Sequence, residues 1–146
     1  MESGVNIEPI MIGAEIFIEP GQTKEEIAGW FKTMKASGMT LTRIRMFESY
    51  MHRKDGSWDF SLFDLAFMAG EQYGIKIYAN LFPETEFSDV GGFKFPKSKE
   101  NFEAIANYIK QIVPHFTRFS SLYGWVPINE PGSGELPADP FTEEKL

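Results

Sequence analysis

Four short apolar runs in this sequence each end in side chains that can move protons or hold a proton donor in place. Glu15 and Glu19 close the first run and its turn, and Arg43, Arg45, Phe47 and Glu48 belong to the second. Asn80, Glu84 and Glu86 follow the third, and Asn129 with Glu130 ends the fourth. A carboxyl group placed this way can serve as a general acid or base. An arginine turned toward it lowers its pKa and fixes its orientation. Arg43 and Arg45 alternate with Thr42, Ile44 and Met46, so the two guanidinium groups share one face of their run. If that face is interior, they must find acceptors or strand a charge; the alternative is a solvent-facing arginine or an ordinary ion pair. Pro131 biases Glu130 away from the α region toward extended backbone. The competing reading of Glu130 is a solvated turn carboxylate.

The elements that must position these residues alternate in type. Residues 11–18 read as a buried strand closed by Glu19-Pro20-Gly21. Thr23 and Glu26 form a capping box for a helix carrying Ile27, Trp30, Phe31 and Met34 on one stripe, with Trp30 expected in the core, and Gly38 stops it. Residues 40–47 form a second strand. Asp59 to Ser61 leads into a helix with Leu62, Leu65, Ala66 and Ala69 at helical spacing, ended by Gly74. Residues 75–81 are a third strand and residues 83–96 a loop. Ser98 is placed to cap a third helix with Phe102, Ile105, Ala106, Ile109, Ile112 and Val113 on one stripe, which Pro114 interrupts or ends. Residues 123–129 are a fourth strand, and a further helix is expected to begin at Thr142. The order β-α-β-α-β-α-β implies βαβ units and a parallel sheet. In such sheets and barrels, functional residues gather at the carboxyl ends of the strands, which is where the polar side chains lie.

Composition narrows the partner. The 146 residues carry a net charge of −7, with a pI near 4.9. That disfavours a nucleic-acid groove, which needs clustered Lys and Arg to replace phosphate counterions. A neutral ligand fits better. Aromatic residues make up 15%, fourteen of them Phe; most belong in a core, and the remainder are suited to stacking on sugar rings. With no cysteine, disulfides and thiolate-held metals are excluded. His52 and His115 are single and far apart, so a histidine metal site is not expected. No stretch reaches the ~20 apolar residues of a membrane span, and the Met1-Glu2-Ser3 start has no basic region of a secretory signal. Gly91-Gly92 makes no phosphate-cradling pattern.

Four blocks in order carry a family resemblance: Gly38-Met-Thr-Leu-Thr-Arg-Ile-Arg45, Trp58-Asp-Phe-Ser-Leu-Phe-Asp64, Tyr73-Gly-Ile-Lys-Ile-Tyr-Ala79 and Trp125-Val-Pro-Ile-Asn-Glu-Pro131. Together they resemble the first half of the (β/α)8 barrel of glycoside hydrolase clan A, and within it are most similar to the family 42 β-galactosidases. The resemblance implies an α/β fold of four βα units with parallel strands, the N-terminal half of a TIM barrel, over residues 1–146 as a single partial domain. It implies that Glu130 is the catalytic acid/base, that Asn129 contacts the sugar 2-hydroxyl, and that Arg43 braces a nucleophile. Arg45 departs from the family pattern, which has a small residue there. Asn80 is expected to line the pocket, and Trp125 lies between a core role and a sugar platform. No metal or other cofactor is implied.

The implied reaction is retaining hydrolysis of β-linked sugars. It needs two carboxyl groups about 5 to 5.5 Å apart, one protonated toward the leaving oxygen and one ionised to attack the anomeric carbon. In the clan the second comes from the seventh strand. The chain is therefore expected to carry the acid/base half of the site and to be inactive alone. An endo-acting glycanase of the same clan, with loops 83–96 and 131–140 lining an open cleft, is one alternative. A non-catalytic carbohydrate-binding or assembly half-barrel is another. Homo-oligomers are expected to form through open barrel edges, hiding Leu41, Phe47 and Ile77 on the inward face.

Overall fold

A computed structural model of the chain describes residues 10–83 and 99–129. The elements are β1 (Gly13–Ile16), α1 (Lys24–Ala36), β2 (Leu41–Arg45), a 3-10 turn at Glu48–Tyr50, α2 (Ser61–Tyr73), β3 (Lys76–Phe82), α3 (Lys99–Thr117) and β4 (Leu122–Ile128). The four strands form one parallel sheet in the order β1-β2-β3-β4. Strands alternating with helices in a single parallel sheet are the pattern of a partial (β/α)8 barrel. Ser98, Glu84, Glu86, Glu130 and the helix expected at Thr142 lie outside the described residues.

Alternation along the strands decides which side chains meet the helices. In β2, Thr42 and Ile44 are fully buried, while Leu41, Arg43 and Arg45 on the other face are half-buried. Ile16, Ile77 and Ala79 join Ile44 in the core, against Ile27 and Phe31 of α1, Phe63 and Phe67 of α2, and Tyr108, Ile112 and Phe116 of α3. The core is thus the layer between one sheet face and the helices. The opposite face carries the charged and amide groups. Buried Thr42 is tolerated because its hydroxyl donates to Ala14 O at 2.8 Å.

Helix ends follow local chemistry. At the start of α1, Thr23 Oγ1 accepts from Glu26 N (3.2 Å) and Glu26 Oε2 accepts from Thr23 N (2.7 Å), completing the capping box. Gly74 ends α2 at φ 66°, a left-handed conformation that glycine adopts without a Cβ penalty. Gly70 serves closeness instead: a Cβ there would lie 2.9 Å from both Ile75 O and Ser121 Cβ, so the helix backbone rests directly on the sheet.

Several side chains depart from the sequence expectation. Trp30 is 53% exposed, because Ile27, Phe31 and Met34 already fill the space under α1 and Trp30 falls on the flank of that stripe. In α3 the buried positions are Tyr108, Ile112 and Phe116, whereas Phe102 is 61% exposed. Pro114 lies inside α3, which runs on to Thr117. The last turn is held by tertiary contacts that outweigh the lost hydrogen bond: Phe116 is fully buried, and His115 Nε2 meets Asp64 Oδ1 of α2 at 2.6 Å. Ile77 is fully buried toward the helices and Phe47 is buried too, so neither is exposed on the inner face as expected; Ile77 has the parity of Ala79, not of Asn80.

Candidate active site

The inner sheet face collects its polar groups toward the carboxyl ends of the strands. Arg43 on β2 is the hub. Its Nη2 donates to Asn80 Oδ1 of β3 (3.2 Å) and, in a shorter hydrogen bond, to Asn129 Oδ1 just beyond β4. One guanidinium nitrogen carries two hydrogens, so a single atom can serve both amide oxygens. Asn80 turns its other end outward along the sheet, Nδ2 donating to Val126 O at 3.0 Å. This network also sets which end of the Asn80 amide is oxygen. Asn80 and Asn129 are both buried, and the main chain is stitched behind them: Met46 N donates to Asn80 O (3.0 Å) and Asn129 N to Phe82 O (3.1 Å).

On the β1 side the arginines meet a carboxylate. Arg45 Nε donates to Glu15 Oε1 at 2.8 Å, and Arg43 Nε lies 3.9 Å from the same oxygen. The Arg43 Nε itself is buried and makes no hydrogen bond, so Glu15 compensates its charge without accepting its proton. A hollow of about 290 Å³ opens beside this pair, lined by Gly13, Ala14, Glu15, Leu41, Thr42 and Arg43. Arg45 also lies over the Phe17 ring, its guanidinium carbon 5.4 Å from the centroid.

A buried tyrosine supports the same strand ends from behind. Tyr108 of α3 is fully buried, and its hydroxyl lies 2.9 Å from Met46 O and 3.0 Å from Leu81 O, at the ends of β2 and β3. Burial, reinforced by the nearby Glu48 charge, pushes its pKa far up, so it stays a neutral donor. The loop after β2 has its own packing. Glu48 Oε1 meets His52 Nδ1 at 2.5 Å, and His52 stacks on Trp58 with centroids 4.2 Å apart. Trp58 continues to Tyr108 and Phe60, so it stiffens the loop beside the site.

Of Arg43, Arg45, Asn80, Trp125, Asn129 and Glu130, the structure brings four together. Arg43, Arg45, Asn80 and Asn129 share the inner face, linked directly or through Glu15. Asn80 is buried with both amide ends engaged, so it braces Arg43 and β4. Trp125 is not with them. It pairs in register with buried Ala79 and packs against the core, on the helix-facing side, which is the core role of the two readings the sequence left open. Glu130 follows Asn129 in the chain but lies outside the described residues. Sequence reasoning missed Tyr108 and Phe17. Among the described residues, no three His, Cys, Asp or Glu side chains converge as a metal site, and no helix is long and apolar enough to cross a membrane.

The endo-β-1,4-mannanase of Thermotoga petrophila superposes with a TM-score of 0.69 at 17% identity, covering 82% of this chain and 34% of that one. The β-galactosidase of the Antarctic haloarchaeon Halorubrum lacusprofundi gives 0.67 at 17% identity, covering 87% of this chain and 22% of that one. An endoglucanase of Pseudomonas stutzeri, solved with cellobiose, gives 0.61 at 18% identity, covering 81% and 40%. The fold is a partial (β/α)8 barrel of the kind found in glycosidases. At these identities the likeness carries the fold alone, and the half-barrel spans well under half the length of each of the three. The matches extend over mannanases, an endoglucanase and β-galactosidases, so the structural likeness is broader than the single family suggested by motif order. No protein-family model matches the half-barrel, and no curated protein matches it in sequence.

Proposed function

We propose that this half-barrel contributes the acid/base side of a retaining glycosidase site acting on β-linked sugars, with Glu130 as the proton donor to the leaving oxygen. The observation that carries this reading is the Arg43 hub, which ties Asn129, the residue before Glu130, to the inner face of β2 and β3. General acid catalysis depends on placement, and the anchored residue stands one position before Glu130 in the chain. A buried setting with a negative nucleophile nearby would keep the Glu130 carboxyl protonated near neutrality. Arg43 and Asn80 act on substrate through Asn129, and Arg45 acts through Glu15. The second carboxylate is assigned to a later strand of a completed barrel, so residues 1–146 by themselves are expected to show no turnover.

Galactosides come first among substrates on motif order, and a β-linked glycan cleaved internally comes second, favoured by the mannanase and endoglucanase structures with the same fold. A protein that completes the barrel should be incubated with a β-galactoside, a β-1,4-mannan, a β-glucan and an α-linked control. Release of monosaccharide from the first supports the exo reading, and a ladder of oligosaccharides supports the endo reading. Cleavage of the α-linked control alone, or of none of the four, contradicts the proposal.

A further inference from the structure

We propose that Phe17 is a stacking platform for a neutral pyranose ring at the β1 edge of this site, an inference that rests on the glycosidase reading for the identity of its ligand. Phe17 is 50% exposed, while its neighbours Ile16 and Ile18 are 8% and 2% exposed. Strand alternation therefore puts the ring on the side of Glu15, the side that carries the arginine and amide network. A large aromatic ring left half in water costs hydrophobic free energy unless something covers it.

The ring is held rather than loose. Arg45 lies over it, and Arg45 is itself fixed by its Nε hydrogen bond to Glu15 Oε1 at 2.8 Å. The backbone is pinned as well: Gln22 Nε2 donates to Phe17 O (3.3 Å), Gln22 Oε1 accepts from Glu19 N (3.0 Å), and Gln22 N donates to Glu19 O (3.2 Å). An aromatic fixed before the ligand arrives loses little conformational freedom on binding.

The surroundings specify the ligand's chemistry. Glu15 supplies acceptors and the two arginines supply donors, and each arginine lies within ion-pair distance of Glu15. Donors and acceptors side by side suit a ligand rimmed with hydroxyls, each of which can both give and take a hydrogen bond. A pyranose has such hydroxyls around its rim and C–H bonds on its faces. Those C–H bonds can rest on the ring face that Arg45 does not cover, with the hydroxyls at the sugar's rim directed toward Glu15 and Arg45 at the ring's edge.

The test uses the 146-residue chain itself, titrated with β-1,4-mannotriose and with lactose while amide resonances are followed by NMR. The wild type should show saturable shifts with at least one of them. Phe17→Ala should weaken that affinity by about tenfold, Phe17→Trp should preserve it, and Phe17→Leu, which keeps apolar bulk but no aromatic face, should weaken it as Ala does. Phe17→Leu binding as well as wild type overturns the platform. So does the absence of saturable shifts in the wild type. Loss of binding in Arg43→Met with none in Phe17→Ala also overturns it while leaving the glycosidase reading intact. Loss in Phe17→Ala with none in Arg43→Met keeps the platform and counts against that reading.

Discussion

In a protein that completes the barrel, Glu130→Gln is expected to lower turnover of glycosides with poor leaving groups by about 10² to 10⁴-fold. The amide can still accept and donate hydrogen bonds, but it has no proton to give the departing oxygen. Activated aryl glycosides leave without that help, so their loss should be far smaller. The difference between the two substrate types is the informative quantity, because a general disturbance of the site would depress both alike. Equal losses would show that Glu130 acts in some other way, and unchanged activity would remove it from the mechanism.

Arg43→Met should have the second largest effect. The substitution keeps much of the aliphatic length but strips buried Asn80 Oδ1 and Asn129 Oδ1 of their shared donor. Leaving a buried acceptor unsatisfied costs about 1 to 3 kcal/mol, so the folding free energy should fall by about that amount. Asn129 would also lose the contact that aims it, and a misplacement of about 1 Å near the chemistry can cost on the order of a hundredfold in rate. Glu15 keeps Arg45 as its partner, which limits the damage on the β1 side. Arg43→Lys should recover the charge but not the two-oxygen geometry, and so only part of the activity. Denaturation together with kcat/KM on the same variants checks both effects. Full activity in Arg43→Met would contradict the hub.

Much of this arrangement was legible in the sequence because local chemistry and tertiary structure agree there. Thr23 and Glu26 specify a helix start by themselves, Gly74 specifies an end, and alternation in 41–47 separates Arg43 and Arg45 from Thr42 and Ile44. Where two readings shared one period, the sequence could not choose. In α3, the stripe through Phe102 and Ile109 and the one through Tyr108, Ile112 and Phe116 both repeat at helical spacing. The second is buried because the Tyr108 hydroxyl finds two carbonyls at the strand ends, a tertiary fact. Whether Pro114 interrupts or ends the helix is open in the sequence, since nothing local shows that Phe116 has a core to enter. Trp125 stays open in the sequence for a related reason: the register shift between Ile77 and Tyr78 changes which β4 residues face the helices, and strand pairing is not written in β4 alone. Phe17 was read only as part of an apolar run, and its exposure follows from where β1 ends.

The stereochemistry of hydrolysis tests the central claim most directly. With a β-glycoside and a protein in which the barrel is complete, the anomeric proton of the first product formed can be followed by NMR before mutarotation mixes the two forms. Attack by a carboxylate followed by attack of water inverts the anomeric carbon twice, so the account predicts that the β anomer is released first and the α anomer grows in only at the rate of mutarotation. Initial release of the α anomer would mean a single displacement by water, and would contradict the assignment of Glu130 to a retaining pair.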